Sequence, residues 1–341
     1  MMGNFKKLWS VGNFLFISIG LIGIVAVFTF GSTSTKTEKI DSPKVSNMVV
    51  SGITIPDNLA FAEEKVPLNY FDVKESLERE LLINSYWHSQ TILLIKRSAR
   101  YFGDIEPILK KNNVPDDFKY LALAESGFTN ISSPAGAVGF WQFLPQTAKD
   151  YKLEISDEVD ERYHLQKSTE AACKYLKHMY SIYNSWTMAA ASFNMGSTGL
   201  GKQVHRQLTD NYYDILLNEE TSRYVYRILA LKLILSDPPK YGFNISKDDY
   251  YQPIPYSEIT VSQSVKDLIK FSYENGTNYK LLKILNPWLH ENKMTHENTL
   301  TVKAGKSYVV RIPVAGFRDH TKELKREEFD KIATQSEESV Q

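Results

Sequence analysis

The sequence predicts a mainly α-helical protein with a small β-α-α-β module near its C-terminus and an apolar helix at its N-terminus. Three observations support this fold class. Apolar residues recur at three- and four-residue steps from Pro67 to Ser236, without a long alternating run that would indicate strands. Beyond residue 256, short strand-like and helix-like segments follow one another. Residues 11–30 contain no charged side chain.

Residues 1–30 are predicted to form a transmembrane anchor or a signal peptide. Lys6 and Lys7 precede the uncharged run from Val11 to Phe30. A helix of that length, at about 1.5 Å per residue, spans about 30 Å, the thickness of a bilayer core. Positive charge before the run keeps that end in the cytoplasm, so the rest is expected on the outer, periplasmic side of the membrane. An uncleaved anchor is favoured because no Ala-x-Ala site follows, but cleavage and secretion stay open.

Composition limits the possible partners. Residues 31–66 are rich in Ser, Thr, Lys and Pro without a sustained period, which is typical of a linker. Lys and Arg together number 40, as do Asp and Glu, so the formal net charge is zero. That balance gives no reason to expect a nucleic-acid partner.

Residues 67–240 are predicted to form a helical domain. A long amphipathic stretch comes first, and Asp116 or Asp117 is placed to cap a short helix that follows it. Two further helices are expected, the second of them ended by an Asp-Pro-Pro sequence. The expected helices are Asp72–Arg100, a short helix ending near Ser126, Ser168–Tyr183 and Glu219–Leu235.

Residues 256–314 are predicted to form the β-α-α-β module. Its expected elements are a strand at Ile259–Val261, helices at Val265–Tyr273 and Tyr279–Leu285, and a strand at Tyr308–Ile312. Residues 318–341 are charged and nearly free of large apolar side chains, which is typical of a frayed helix or a disordered tail.

Glu125 is the first candidate for chemistry. Ala122, Leu121 and Phe118 precede it by three, four and seven residues, so a carboxyl group shares a helix face with apolar side chains. Desolvation and the negative end of the helix dipole both disfavour its ionised form and raise its pKa, as a general acid near neutral pH requires. On this segment alone, a solvated carboxylate at a helix end is the more common interpretation.

Three later segments change that balance. The first is a glycine-flexed loop carrying Trp141 and Gln142, whose flat ring and amide suit a sugar, before Pro145 at a helix start. The second is a helix end containing Asn194, followed by a glycine-rich turn from residue 196 to 201. The third opens the last helix of the domain and contains Tyr224. Each segment alone is explained by turn glycines, core aromatic residues or an ordinary helix start.

The order and spacing of these segments resemble the lysozyme-like lytic transglycosylases of the SLT type. That family shows Glu-Ser, Gly-Leu-Met/Trp-Gln, Ala-Tyr-Asn-x-Gly and Glu-Thr-x-x-Tyr-Val in this order. The corresponding segments here are Glu125-Ser126, Gly139-Phe140-Trp141-Gln142, Ser192-Phe193-Asn194-Met195-Gly196 and Glu220-Thr221-Ser222-Arg223-Tyr224-Val225. The long form of the second segment and the run Asp160-Glu161-Arg162 are similar to the membrane-bound lytic murein transglycosylase D branch. The resemblance covers residues 67–236 and implies a lysozyme-like catalytic domain.

The resemblance implies cleavage of the β-1,4 bond between N-acetylmuramic acid and N-acetylglucosamine in peptidoglycan, with formation of a 1,6-anhydromuramoyl end. Glu125 would act first as the acid and then as the base. Ser126, Gln142 and Asn194 would contact the sugar or hold the cleft, and Tyr224 would orient the carboxyl group or the acetamide. Glu220 is a possible second acid, although its motif favours a supporting role.

Two departures from the family patterns stand out. Phe193 replaces the usual tyrosine and removes a hydroxyl that could bond the substrate's N-acetyl group. The C-terminal module resembles a divergent LysM domain, a glycan-binding fold, in its Asn286-Pro287-Trp288 turn and its last strand. It lacks the Gly-Asp-Thr turn expected before the first helix, so glycan binding by the module stays open.

No cofactor or metal is expected. His290 and His296 are six residues apart, whereas a zincin helix requires a spacing of four. A hydrolytic muramidase and a weakly active peptidoglycan-binding protein remain the alternatives to a transglycosylase. Cleavage within strands or from their ends, the oligomeric state and any protein partners are not specified by the sequence.

Overall fold

A computed structural model describes residues 52–291 and 297–318 of the chain. The predicted anchor, most of the linker and the charged tail lie outside these residues. Within the two described ranges, no helix is long and apolar enough to cross a membrane.

The N-terminal body is helical, which confirms the mainly α fold class for the described residues. A short antiparallel hairpin, β1 (Ala60–Phe61) and β2 (Glu64–Lys65), precedes the helices. The helices are α1 (Phe71–Tyr86), α2 (His88–Lys111), α3 (Phe118–Ser126), α4 (Pro145–Asp150), α5 (Leu165–Tyr183), α6 (Trp186–Met195), α7 (Ser197–Gln207) and α8 (Glu219–Ser236).

Two predictions about this body are wrong in detail. The expected helix from residue 72 to 100 is two helices, because Trp87 leaves the helical region at φ −87° and ψ 60° and ends α1. The glycine-rich turn expected over residues 196–201 is mostly helical. Only Gly196 turns, at φ +83°, and α7 begins at the next residue.

Contacts that are distant in sequence fix the helix starts. Asp117 occupies the cap position of α3, but its side chain makes no capping bond, contrary to the prediction. Its carboxylate instead accepts bonds from the Ala62 backbone N–H and the Lys232 ammonium, both at 2.7 Å. Glu64 in the hairpin bonds to the first turn of α6, including the Thr187 backbone N–H at 2.9 Å. The hairpin therefore fastens α3, α6 and α8 together.

The core of the body lies around α8, which packs against α1, α3 and α6. Leu77 of α1, Leu121 of α3 and Ile228 of α8 are wholly buried in it. Burying such side chains stabilises the fold by about 1.5–3 kcal/mol each. Contacts with α2 and α8 hold α3, the helix that carries Glu125, in place.

The C-terminal module consists of β3 (Tyr256–Val261), α9 (Leu268–Glu274), α10 (Tyr279–Leu285) and β4 (Tyr308–Pro313), which confirms the predicted order of elements. The two strands pair antiparallel, with Glu258 opposite Arg311. β3 begins three residues earlier than expected. α9 begins three residues later, because Asp267 caps it and Val265 pairs with Leu300 instead.

The module packs directly on a stretch of the helical body, residues 154–164, here called the docking segment. The Asp160 backbone N–H donates to the Trp288 carbonyl at 2.9 Å, and the His290 backbone N–H donates to the Glu158 carbonyl at 2.7 Å. The Trp288 ring stacks on His164 at 5.4 Å between ring centres. These bonds fix the module against the body.

Candidate active site

Glu125 lies in the last turn of α3, where the helix is about to end. Gly127 ends it in the left-handed conformation at φ +56°. A Cβ at that position would approach a Leu94 methyl group to 3.0 Å, so glycine fits both the backbone and the space. The helix end thus points the half-buried Glu125 carboxyl group into a cleft lined by the body.

Burial raises the pKa of Glu125 to about 7. Desolvation is the largest cause, and the Tyr224 hydroxyl opposes it by donating a hydrogen bond to Oε1 of Glu125. The Arg227 charge also lowers this pKa, whereas the Glu220 charge raises it. Burial raises the pKa of Tyr224 well above its ordinary value, so its hydroxyl keeps the proton that it donates. Glu125 is therefore a carboxylic acid that can hold a proton near neutral pH.

The cleft at Glu125 has a volume of about 300 Å³. Among the described residues that line it, Glu125 is the only carboxylic acid. One wall is the segment from Ser133 to Thr147, which is a loop followed by the first turn of α4, and the other wall is the end of α6. A single acid facing apolar and amide groups suits a neutral, hydroxyl-rich substrate more than a charged one.

Gln142 lines the cleft in a strained loop. Its backbone has φ +47°, and its amide nitrogen donates to the Gly139 carbonyl at 2.9 Å and the Ile131 carbonyl at 3.2 Å. A Cβ at Gly139 would lie 2.0 Å from the Arg162 carbonyl oxygen, so only glycine fits there. The side-chain nitrogen of Gln142 therefore holds the loop in shape.

Asn194 lines the opposite wall, at the end of α6. Its side-chain oxygen accepts a hydrogen bond of 2.8 Å from the Thr221 hydroxyl, which lies in the first turn of α8. This bond joins the third and fourth motifs of the sequence. The second and fourth motifs also meet at one site, since Gln142 lines the same cleft as Glu125 and the Tyr224 hydroxyl bonds to Glu125. Local sequence alone could not have placed Thr221 beside Asn194.

Two residues of the motifs lie away from the cleft. The Ser126 hydroxyl is buried and bonds to the Phe140 carbonyl at 3.0 Å and to other backbone groups of its turn. Trp141 is 0% exposed, and its indole N–H donates to the Thr169 hydroxyl at 2.9 Å. The interpretation of Trp141 as a sugar-stacking ring is therefore wrong, because the ring fills the core behind the cleft.

Phe193 forms part of the cleft wall within an aromatic cluster. Its ring centre lies 5.3 Å from Tyr175, 5.7 Å from Phe143 and 6.0 Å from Trp141. The Tyr175 hydroxyl is used within the body, where it donates to the Ser192 carbonyl at 2.8 Å. Phe193 thus keeps the aromatic ring of the third motif in its place in the cleft wall, without a hydroxyl group.

The buried ion pair between Asp160 and Arg162 supports the cleft loop, a role that the sequence did not reveal. Arg162 Nη2 lies 2.6 Å from the Asp160 carboxylate, and Nη1 donates to the Gly136 and Phe143 carbonyls at 2.9 and 3.2 Å. The sequence signal for this pair was the opposite charge of Asp160 and Arg162, two residues apart in a run that is similar to the family. Asp160 and Arg162 belong to the docking segment, which also bonds to the C-terminal module. The docking segment therefore contacts both the cleft loop and the module.

Comparison with known proteins agrees with this arrangement. Residues 105–215 match the Transglycosylase SLT domain, and residues 257–316 match the Soluble lytic transglycosylase C-terminal LysM-like domain. The two regions of the chain are therefore similar to an SLT domain and to a LysM-like module, in that order, and the predicted family resemblance is confirmed.

Two relatives carry the same name, Membrane-bound lytic murein transglycosylase D. They come from Escherichia coli strain K12 and from Escherichia coli O6:H1 strain CFT073. Each is 28% identical over 183 residues, which cover 52% of this chain and 40% of the relative. The chain thus spans less than half the length of the relatives it matches.

Proposed function

We propose that the protein is a lytic transglycosylase that cleaves the β-1,4 bond between N-acetylmuramic acid and N-acetylglucosamine in peptidoglycan. The observation that carries the proposal is a single cleft carboxyl group, Glu125, with a pKa of about 7. The SLT domain, the LysM-like module and the name of the two relatives support the substrate class.

In the first step, protonated Glu125 gives its proton to the oxygen that joins the two sugars. The bond between that oxygen and C1 of the muramoyl sugar then breaks with both electrons going to the oxygen, so N-acetylglucosamine leaves with the proton and C1 is left electron-poor. The carboxylate left behind is stabilised by the Tyr224 hydroxyl, which already donates to it. A raised pKa makes the acid form available, and the hydroxyl limits the cost of the charged form.

In the second step, the Glu125 carboxylate takes the proton of the muramoyl C6 hydroxyl as that oxygen bonds to C1. A 1,6-anhydro ring forms, Glu125 is protonated again, and no water is consumed. Hydrolases of the common two-carboxylate type need a second acid beside the bond, and Glu125 is the only acid among the described residues lining this cleft. This favours the transglycosylase over the muramidase.

The remaining site residues have supporting roles in this proposal. Gln142 and Asn194 line the two walls and would meet the sugar's hydroxyl and acetamide groups. Ser126 would act indirectly, through the loop bond to the Phe140 carbonyl. Glu220 would adjust the charge near Glu125, since its carboxylate pairs with Arg227 at 3.2 Å.

The proposed location is the cell envelope, with the catalytic domain on the periplasmic side. The apolar run from Val11 to Phe30 after two lysines supports an anchor at the N-terminus. The relatives are named as membrane-bound.

Digestion of purified sacculi by the wild type and by Glu125→Gln tests the proposal. The wild type is expected to release muropeptides with 1,6-anhydro ends, each lighter by one water than a hydrated end, and Glu125→Gln to release none. Mass spectrometry of the products distinguishes the outcomes. Hydrated reducing ends would make the protein a muramidase, and glycan binding without products would make it a binding protein.

A further inference from the structure

A second cavity, of about 600 Å³, lies between the helical body and the C-terminal module. One wall combines the middle of α2 with the start of α5. The other combines the outward face of the β3–β4 sheet with the turn after α10. Its volume is twice that of the cleft at Glu125 and falls within the range of about 300–1,000 Å³ typical of ligand sites.

The lining combines flat rings with amide groups. Partly exposed rings come from both walls: Tyr101 and Tyr163 from the body, and Tyr256 from the module. Trp288 is 3% exposed and stacks between His164 and Tyr308, so its ring supports the wall from behind. Asn130 and Gln166, which carry side-chain amides, also line the cavity. Rings suit the apolar C–H faces of sugars, and amides suit hydroxyl and acetamide groups.

The charges at this lining balance in sum, because the three cations Arg100, Lys167 and Arg311 are matched by three acids, Asp104, Glu258 and the neighbouring Glu161. Arg311 lies 3.3 Å from Glu258 and 3.5 Å from Asp104, so one guanidinium serves both acids. Arg100 donates to the Gln252 carbonyl at 2.9 Å, and Lys167 pairs with Glu161. Since the charges of this lining are compensated, a neutral polar ligand fits it better than an anion. The sugar rings, hydroxyls and acetamides of a glycan strand are neutral, and the muramoyl lactyl group is neutral as well when its carboxyl is amide-linked, whereas a peptide stem carries free carboxylates.

The cavity and the cleft share a wall. Phe140 lines the cavity, and Gln142 two residues later lines the cleft. The Gln142 side chain also donates to the Ile131 carbonyl, next to Asn130 at the edge of the cavity. The cleft and the cavity therefore lie on either side of one loop, and a strand bound at Glu125 has to cross that loop to reach the module.

We infer that this interdomain cavity binds the glycan strand at a distance from the bond being cut. The inference rests on the proposed function, because it extends the same substrate beyond the cleft. In this inference, the outward face of the β3–β4 sheet forms one half of the site and the helical body forms the other half. The docking segment keeps the two halves at a fixed separation, so the site is formed before the strand arrives.

Two substitutions can fill the cavity, one from each wall. Gly103 on α2 has no atom within 4 Å of an added Cβ, so Gly103→Trp introduces a large ring without a backbone clash. Val309 is 45% exposed in β4, where Val309→Trp keeps a residue type that favours strands. Gly103→Ala and Val309→Thr are the matched controls, and equal unfolding midpoints establish that the variants fold.

The measurement is kcat/KM on glycan oligomers of increasing length that carry no peptide stem and whose lactyl carboxyl groups are amidated, so that every oligomer is neutral. The quantity compared is the kcat/KM for long oligomers divided by the kcat/KM for short oligomers. Each tryptophan variant is expected to lower this ratio by about tenfold relative to its control, which is the effect of losing one or two good contacts. An unchanged ratio would overturn the inference, as would an equal loss at every length. A loss seen only with peptide-bearing strands would also overturn it, since the cavity would then hold the peptide.

A binding experiment separates this inference from the proposed function. If the wild type cuts no glycan, the proposed function fails, but binding of the same oligomers to Glu125→Gln still tests the cavity. Length-dependent affinity that Gly103→Trp abolishes and Gly103→Ala retains would support the cavity. Affinity that does not differ between the two variants would refute it.

Discussion

At the scale of single residues, the chemistry depends on opposing effects at one carboxyl group. Burial makes the ionised form of Glu125 unfavourable, while the Tyr224 hydroxyl and the Arg227 charge favour it. The balance leaves the pKa at about 7, far above the ordinary value of 4.5 for this side chain. Activity that begins with the protonated acid should therefore fall as the pH rises through about 7.

Tyr224→Phe tests the role of the hydroxyl in this balance. Loss of a donor to the carboxylate destabilises the ionised form, so the pKa of Glu125 rises further. The alkaline limb of the pH–kcat/KM profile is expected to move up by about one unit, while the rate at the optimum falls about tenfold. Tyr226→Phe is the matched control, and a limb that shifts equally in both variants would contradict the assignment.

Phe193→Tyr tests the departure from the family tyrosine. The ring already lies in the cleft wall, so the added hydroxyl would enter the cleft beside the sugar. One additional hydrogen bond, worth about 0.5–1.5 kcal/mol, predicts a two- to tenfold rise in kcat/KM. Phe193→Leu, which removes the ring contacts, is expected to lower it. Identical kinetics for the tyrosine variant and the wild type would show that no substrate group lies within reach.

At the scale of elements, the cleft loop depends on support from outside itself. Arg162 bonds to the carbonyl groups at both ends of the segment from Gly136 to Phe143, and Asp160 holds Arg162 in place. A guanidinium can make these bonds together because its donors form a fixed planar fork. Gln142 therefore keeps its position through a residue that lies outside the cleft lining.

Arg162→Lys is expected to loosen this loop. An ammonium group cannot reproduce all of the bonds, so the free energy of unfolding should fall by about 1–3 kcal/mol. Hydrogen exchange should accelerate over residues 136–143, and KM should rise more than kcat falls. The alkaline limb of the pH–kcat/KM profile should not move, because Arg162 does not contact Glu125. The exposed Arg206→Lys is the control, and unchanged exchange in the loop would contradict the role.

The elements also show what can be predicted from sequence and what cannot. Helices such as α5 and α8 follow from apolar spacing, and the motif order places Glu125, Asn194 and Tyr224 in one site. The predictions for Asp117 and Trp141 were wrong for the same reason: each side chain bonds to a residue that is distant in sequence. Asp117 bonds to Lys232 instead of its own helix, and Trp141 turns inward because Thr169 accepts its N–H. Such partners are far apart in sequence, so a local pattern cannot reveal them.

At the scale of the whole molecule, the module and the helical body are joined by charged contacts. The Glu158 carboxylate accepts bonds from the Thr301 backbone N–H at 2.7 Å and from the Thr299 and Thr301 hydroxyls. These bonds hold the pKa of Glu158 below its ordinary value, even though burial alone would raise it. The resulting stabilisation is present above the unfolded-state pKa and is lost as the pH falls through the lower folded-state value.

Acidification should therefore weaken the docking of the module, and Glu158→Gln should do the same at neutral pH. The radius of gyration from X-ray scattering is expected to increase, and amides of residues 299–301 should exchange faster. Asp157→Asn, at the exposed neighbouring position, serves as the control. Scattering curves that coincide for all three proteins would show that Glu158 does not hold the module.

The docking segment has a practical consequence for engineering the chain. A truncation after α8 would remove the partner of Asp160 and uncover the apolar Val159, although it would cut no catalytic residue. A chimaera that exchanges the module for another of the same family would need the segment from residue 154 to 164 to be exchanged with it. The unit to transfer is thus the module together with the docking segment. A cut between α8 and β3 would separate these two parts.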